Sequence, residues 1–322
     1  MVLVTGASGF LGGELVKQLV DSGESVRIIV RSTSNLSHLH SVKDKIEIVE
    51  ADILDIPSLE IAFDGIEKIY HSAAIIGYDE SYYNDMYKTN VEGTANVVNV
   101  ALSKGIKKIL QVSSIAAIGG KPQEEITEET KWEKNQWTTE YGITKMLAER
   151  EVWRGIQEGL EAVIVNPGII IGTGNDEHKI LTRLFKRIAT RNMPFYTNGT
   201  NGFIDVEDVA KISIELMNSN ISAERFILIN ENISFKNYFE KIASAMNVEP
   251  PKNALNKTTG NLFVMADWFL SKIYHRKRNL TKESLKISLE QFSYSNQKIR
   301  EQFNVDFINI DETIRKIAEQ IL

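Results

Sequence analysis

Residues 2–16, Val2-Leu3-Val4-Thr5-Gly6-Ala7-Ser8-Gly9-Phe10-Leu11-Gly12-Gly13-Glu14-Leu15-Val16, set four glycines between two apolar runs. Met1 to Thr5 reads as a buried strand, and the segment from about Gly12 to Ser22 as a helix. Gly6, Gly9 and Gly12 hold the first, fourth and seventh places of the loop that joins them. Gly6 permits a tight turn, Gly9 lets backbone approach a pyrophosphate, and Gly12 lets helix and strand pack closely. The helix start adds N–H groups and the positive end of its dipole. A glycine triplet alone is weak evidence, but strand, turn and helix in that order are the context a dinucleotide loop requires.

The same alternation continues along the chain. "SVRIIV" (25–30), "KIEIVEAD" (45–52), "KIYHSAA" (68–74), "KKILQVSS" (107–114) and "EAVIVNPGIII" (161–171) read as strands. Between them, 59–63, 90–104 and 141–157 carry helical periodicity. Short apolar strands separated by helices predict βαβ units, hence an α/β, Rossmann-type doubly wound parallel sheet. The 322 residues, 43% hydrophobic and 25% charged, suit one such domain plus a smaller lobe. We expect residues 1–165 to form the dinucleotide domain, with 203–230 returning to it. Residues 166–202 and 231–322 are then an α/β substrate lobe.

Composition removes other classes. A net charge of −6 with no basic stripe argues against nucleic acid. The absence of cysteine excludes disulfides and thiolate metal sites. His38 and His40 sit in a polar loop and His71, His178 and His275 are isolated, so no metal site is expected. The chain opens on strand and loop with no charged-then-apolar leader, and no stretch is long enough to span a bilayer, so a cytoplasmic location is expected.

Two side chains carry candidate chemistry. Tyr141 and Lys145, four apart on a helix, share one face. A carbonyl that accepts a hydride also needs a proton, and free tyrosine titrates at about 10. A neighbouring ammonium favours the phenolate and makes tyrosine a usable acid and base near neutrality.

The T-G-x-x-G-x-x-G spacing, with "ADILD", "HSAA", "TNVEGTANVV", "VSS", "YGITK", "VNPGIIIG" and "GFIDVEDVA" in that order, resembles the extended short-chain dehydrogenases/reductases of the NAD-dependent epimerase/dehydratase family. The nearest likeness is to the dihydroflavonol-4-reductase-like and 3β-hydroxysteroid dehydrogenase-like branch, and it covers essentially the whole chain. The resemblance implies a catalytic set of Ser114, Tyr141 and Lys145, with Lys145 also reaching the nicotinamide ribose. Ser113 remains an alternative to Ser114. It implies cofactor contacts from Gly6, Ser8, Gly9, Phe10, Leu11 and Gly12, and from Asp52 and Ile53 at the adenine. Ala73 and Ala74 fall beside the ribose and Pro167 at the carboxamide. Asn90 matches a cofactor-proximal asparagine or a structural one. Ile115-Ala116-Ala117 follow the serines where related dehydratases carry an Asp–Glu pair, which argues against elimination chemistry.

The second strand ends in Arg31-Ser32-Thr33-Ser34, where NAD-binding relatives place a carboxylate for the ribose 2′-hydroxyl. A guanidinium there suits a 2′-phosphate, so NADP(H) is the expected cofactor, with NAD(H) left open. The expected activity is reduction of a carbonyl, or oxidation of the alcohol, on a small to medium organic molecule. Alternatives are a nucleotide-sugar epimerase with tightly held NAD, a 3β-hydroxysteroid-type dehydrogenase, and a non-catalytic NAD(P) sensor. A homodimer is open. Trp132 and Trp137 are candidate pocket walls. Leu262, Met265, Phe269 and Ile273 recur at helical spacing before a basic cluster at 275–278. We read them as a helix packed over the substrate site in preference to a membrane-surface helix.

Overall fold

The computed structural model describes residues 1–77, 80–174, 179–274, 278 and 280–322. His178 and His275, and most of the basic cluster at 275–278, lie outside the described residues.

Seven strands form the central sheet: β1 (Val2–Thr5), β2 (Val26–Val30), β3 (Ile46–Glu50), β4 (Lys68–His71), β5 (Lys108–Val112), β6 (Glu161–Pro167) and β7 (Glu224–Leu228). They are all parallel, in the order β7-β6-β5-β4-β1-β2-β3. Alternation along β1 sends its side chains to two cores. Val2 and Val4 pack with Leu15, Val16 and Val209 on one face, and Leu3 packs with Leu59, Val97 and Val98 on the other. A sheet covered on both faces explains why its strands read as continuous apolar runs. The chain runs from β1 outward to β3, then crosses to β4 on the other side of β1. That reversal opens a crevice at the C-terminal ends of β1 and β4, where Rossmann-type sheets bind ligands.

The expected sixth strand, 161–171, is two strands in two sheets. Gly168 N–H donates to the Leu228 carbonyl, and the chain then leaves the central sheet. Ile169–Ile171 pairs in parallel with Phe203–Asp205, and Thr200–Phe203 pairs antiparallel with Glu231–Ser234. A Cβ on Gly168 would lie 2.4 Å from the Gly202 carbonyl oxygen, so only glycine lets the strands close at this switch. Of the segment 203–230, Phe203–Asp205 stays in the second sheet. The helix Val206–Asn218 packs on the first helix of the chain, and Glu224–Leu228 is the edge strand β7. The second sheet has its own core, with Ile171, Phe185, Phe203, Tyr238, Ile242 and Ile314 buried together.

Candidate active site

The glycine loop leaves β1 into helix α1 (Phe10–Asp21), one residue pair earlier than the spacing predicts. Gly6 takes a φ of 71°, and a Cβ there would lie 2.6 Å from the Ala73 amide. At Gly12 a Cβ would stand 2.1 Å from the Gly6 carbonyl oxygen. The loop is therefore a cradle that side chains would fill. Gly9 precedes the helix without a capping side chain, so the helix start offers backbone N–H groups to an anion. His38 reaches back across 31 residues and donates from Nε2 to the Ala7 carbonyl at 3.0 Å, packing where Gly13 lacks a side chain. These features fit a dinucleotide pyrophosphate.

Beneath the loop, a relay of buried polar groups fixes the adjoining strand ends. Ala73 N–H donates to Thr5 Oγ1 (3.1 Å), and the Thr5 hydroxyl donates to His71 Nδ1 (2.7 Å). His71 Nε2–H then donates to Thr94 Oγ1 (3.0 Å), whose hydroxyl donates to the Asn90 carbonyl (2.6 Å). Every donor meets one acceptor only if the imidazole is neutral with its proton on Nε2. Burial, with Lys145 nearby, pushes the His71 pKa down to about 3, in keeping with that state. The Asn90 side chain is spent on structure: its amide binds both backbone groups of Ile75 and the Thr144 hydroxyl.

Helix α2 (Glu140–Gln157) carries Tyr141 and Lys145. Thr139 caps it, accepting the Gly142 N–H at 2.8 Å. A Cβ at Gly142 would lie 2.6 Å from the Ala116 carbonyl oxygen, so glycine brings this helix start against the turn after Ser114. Tyr141 is half-buried. Lys145 is buried and donates to the Val112 carbonyl at 2.7 Å. Burial pulls its pKa down to about 8, with Glu149 opposing the shift.

The two serines at the end of β5 point to different places. Ser113 is buried and gives its hydroxyl proton to Glu149 Oε1 at 2.5 Å. Ser114 is half-buried, and its hydroxyl accepts the Ala116 N–H at 3.2 Å. Asn166 Nδ2 donates to both the Ser114 carbonyl (2.9 Å) and Glu149 Oε1 (2.6 Å). Arg225 from β7 stands 3.6 Å from Glu149 Oε2 and also donates to the Glu128 carbonyl. Burial raises the Glu149 pKa against the hydrogen bonds from Ser113 and Asn166 and the charges of Arg225 and Lys145. Sequence reading passed over this Glu149–Asn166–Arg225 cluster. The available signal was a carboxylate one turn beyond Lys145 on the same helix face, where a buried face ought to be apolar.

Other residues end at the same sheet edge. Asp52 follows β3 and accepts the Leu54 N–H at 2.9 Å, while Ile53 is buried against Gly93. Ala73 and Ala74 follow β4, and buried Pro167 ends β6. Ser8 belongs to the loop, Phe10 and Leu11 open α1, and the Phe10 ring lies against the Gly172–Gly174 segment beyond the second sheet. Arg31 is exposed just past β2, and among the described residues its guanidinium meets no carboxylate. Trp137 packs on the cluster of Ile115, Ile118, Phe292 and Tyr294, and Trp132 packs on Gly119.

The stripe expected to pack over the site is exposed. In helix α3 (Lys257–Ile273), Leu262, Met265, Phe269 and Ile273 are exposed, whereas Gly260, Val264 and Ser271 are buried. The inner face is narrow because Gly260 sits against Leu285, leaving the bulkier side chains outside.

Comparison with known proteins agrees with this geometry. The model of the "NAD dependent epimerase/dehydratase family" matches residues 2–229. Sterol demethylase protein B of Methylococcus capsulatus is 30% identical over 71% of this chain and 70% of its own length. A putative dihydroflavonol 4-reductase of Synechocystis is 27% identical over 97% of this chain and 91% of its own. The crystal structure of gox2253 superposes with a TM-score of 0.84 at 27% identity, covering 99% of this chain and 97% of that one. The chain is an NAD(P)-dependent enzyme of the extended short-chain dehydrogenase/reductase type and belongs to the NAD-dependent epimerase/dehydratase family.

Proposed function

We propose that this enzyme reduces a carbonyl of a small to medium organic molecule with NADPH, Tyr141 giving the proton. The observation that carries the reading is a division of labour at one sheet edge. Ser113 is committed to Glu149, Lys145 is buried one helical turn beyond Tyr141, and Ser114 borders the helix start that holds Tyr141. The glycine loop, Asp52, Ile53, Ala73, Ala74 and Pro167 hold the dinucleotide, with residues 1–165 and most of 203–230 as its domain. The remaining segments, 166–202 and 231–322, shape the substrate lobe.

When bound, NADPH supplies the hydride that reaches the carbonyl carbon. Ser114 Oγ hydrogen-bonds the carbonyl oxygen and holds it beside Tyr141. Tyr141 Oη transfers its proton to that oxygen as the C–O double bond becomes a single bond, leaving an alcohol and a phenolate. Solvent returns the proton to Tyr141 before the next turnover. Lys145, an ammonium below its pKa of about 8, stabilises the phenolate in a site where burial strengthens the attraction. Glu149 and Asn166 act on neither reactant; they fix the strand end that carries Ser114.

The reductase names of two relatives, the putative dihydroflavonol 4-reductase and a cinnamoyl-CoA reductase, support this direction. So does Arg31, which offers a guanidinium to a 2′-phosphate and no carboxylate to repel it. Titration of NADPH and NADH at one fixed salt concentration checks the cofactor. The parent should bind NADPH more tightly, and Arg31→Ala should narrow the gap by about tenfold through weaker NADPH binding. Equal affinities in the parent, or NAD retained through purification without NADPH consumption against a panel of aldehydes and ketones, would overturn the reading.

A further inference from the structure

Helix α3 is held to the protein by one face. Gly260 packs on Leu285, Val264 and Ser271 are buried, and Asp267 accepts the Leu280 N–H at 3.2 Å. Its other face carries Leu262, Met265, Phe269 and Ile273, and Tyr274 follows; each is more than half exposed. Apolar side chains at this density on one exposed helix mark a surface built to be covered.

The charge around the stripe says by what. Residues 257–286 hold seven lysines and arginines against two acidic residues, in a chain whose net charge is −6. Both acidic residues turn inward: Asp267 to Leu280, and Glu283 to the Glu140 N–H at the start of the Tyr141 helix. Lys257, Lys272 and Lys282 are exposed, whereas Lys286 donates to the Gln136 carbonyl and Arg278 to the Leu280 carbonyl. Lys272 stands 4.2 Å above the Trp268 ring, its stem along the apolar face and its charge at the border. Bulky apolar groups flanked by cations, with Trp and Tyr at the boundary, match the interface of a lipid bilayer with anionic headgroups. Among the described residues no helix is long and apolar enough to cross a membrane, so contact here is in the plane of the surface.

We propose that the outer face of α3 docks the enzyme onto anionic membrane surfaces. The apolar stripe enters the headgroup–acyl boundary and Lys257, Lys272 and Lys282 meet lipid phosphates.

Sedimentation of the full chain with vesicles tests this directly. The protein should pellet with equimolar phosphatidylcholine and phosphatidylglycerol, stay soluble with phosphatidylcholine alone, and release at high salt. Met265→Glu/Phe269→Glu changes only exposed positions. It should weaken binding at least about tenfold while leaving the thermal unfolding midpoint and NADPH affinity unchanged. Three results would overturn the proposal. The parent could fail to pellet with the anionic vesicles, or the double variant could bind as the parent does. Sedimentation velocity could instead show a dimer that the double variant splits, without vesicle binding, making a second copy the occupant.

Discussion

The C-terminal edge of the central sheet and the outer face of α3 obey opposite rules. At the sheet edge polar groups are buried and paired: Thr5, His71, Thr94, Ser113, Glu149 and Asn166 are each tied to a named partner. On α3 apolar groups such as Leu262, Met265 and Phe269 are more than half exposed. Burial makes a lost partner expensive, whereas exposure makes a substitution cheap for folding and costly only for whatever the surface meets. Positions that govern stability and chemistry should thus separate from positions that govern association.

The strongest contrast comes from Gly12→Val. The added Cβ meets backbone of Gly6, so the loop cannot relax by rotating a side chain. The variant should lose cofactor binding altogether, read by NADPH fluorescence titration. A folded variant with unchanged affinity would break the cradle argument.

Glu149→Ala comes next. It leaves Arg225, Ser113 and Asn166 facing a void, and removal of one member of a buried ion pair costs about 3–5 kcal/mol. Urea unfolding should show that loss, with Glu149→Gln milder because the amide still accepts from Ser113. Phe269→Ser on the outer helix should stay within about 0.5 kcal/mol of the parent. Similar losses at both sites would erase the distinction between the two regions.

His71 provides the most diagnostic effect. Its folded pKa, about 3, lies below the ordinary value of 6.5, so between these the unfolded chain holds a proton that the folded chain lacks. Stability is full above pH 6.5 and falls as pH drops toward 3. The His71 share of that slope is about 1.4 kcal/mol per pH unit within the window. His71→Gln should be less stable at pH 7 yet show a shallower acid slope. Equal slopes would mean that the imidazole is not held neutral.

The fold was legible because strand and helix periods differ, and because the glycines at 6, 9 and 12 answer to steric demands that survive in a bare sequence. Tyr141 and Lys145 were legible because four residues make one helical turn. The Glu149 cluster was not, since Ser113, Glu149, Asn166 and Arg225 come from four separate elements that meet only after folding. The break at Gly168 escaped notice because an apolar run does not record which sheet each half joins. The sequence did not say which face of α3 the fold would bury. Periodicity revealed an amphipathic helix, but packing had chosen the face with Gly260 and Ser271 over the face with Phe269.

The chemistry itself rests on Tyr141. With any carbonyl substrate the parent turns over, Tyr141→Phe should cut NADPH oxidation by about 10²–10⁴-fold, because it removes the proton donor. The dissociation constant of NADPH should stay within about twofold, since little binding surface is lost. Near-normal turnover in the phenylalanine variant would contradict the assignment of Tyr141 and, with it, the proposed reduction.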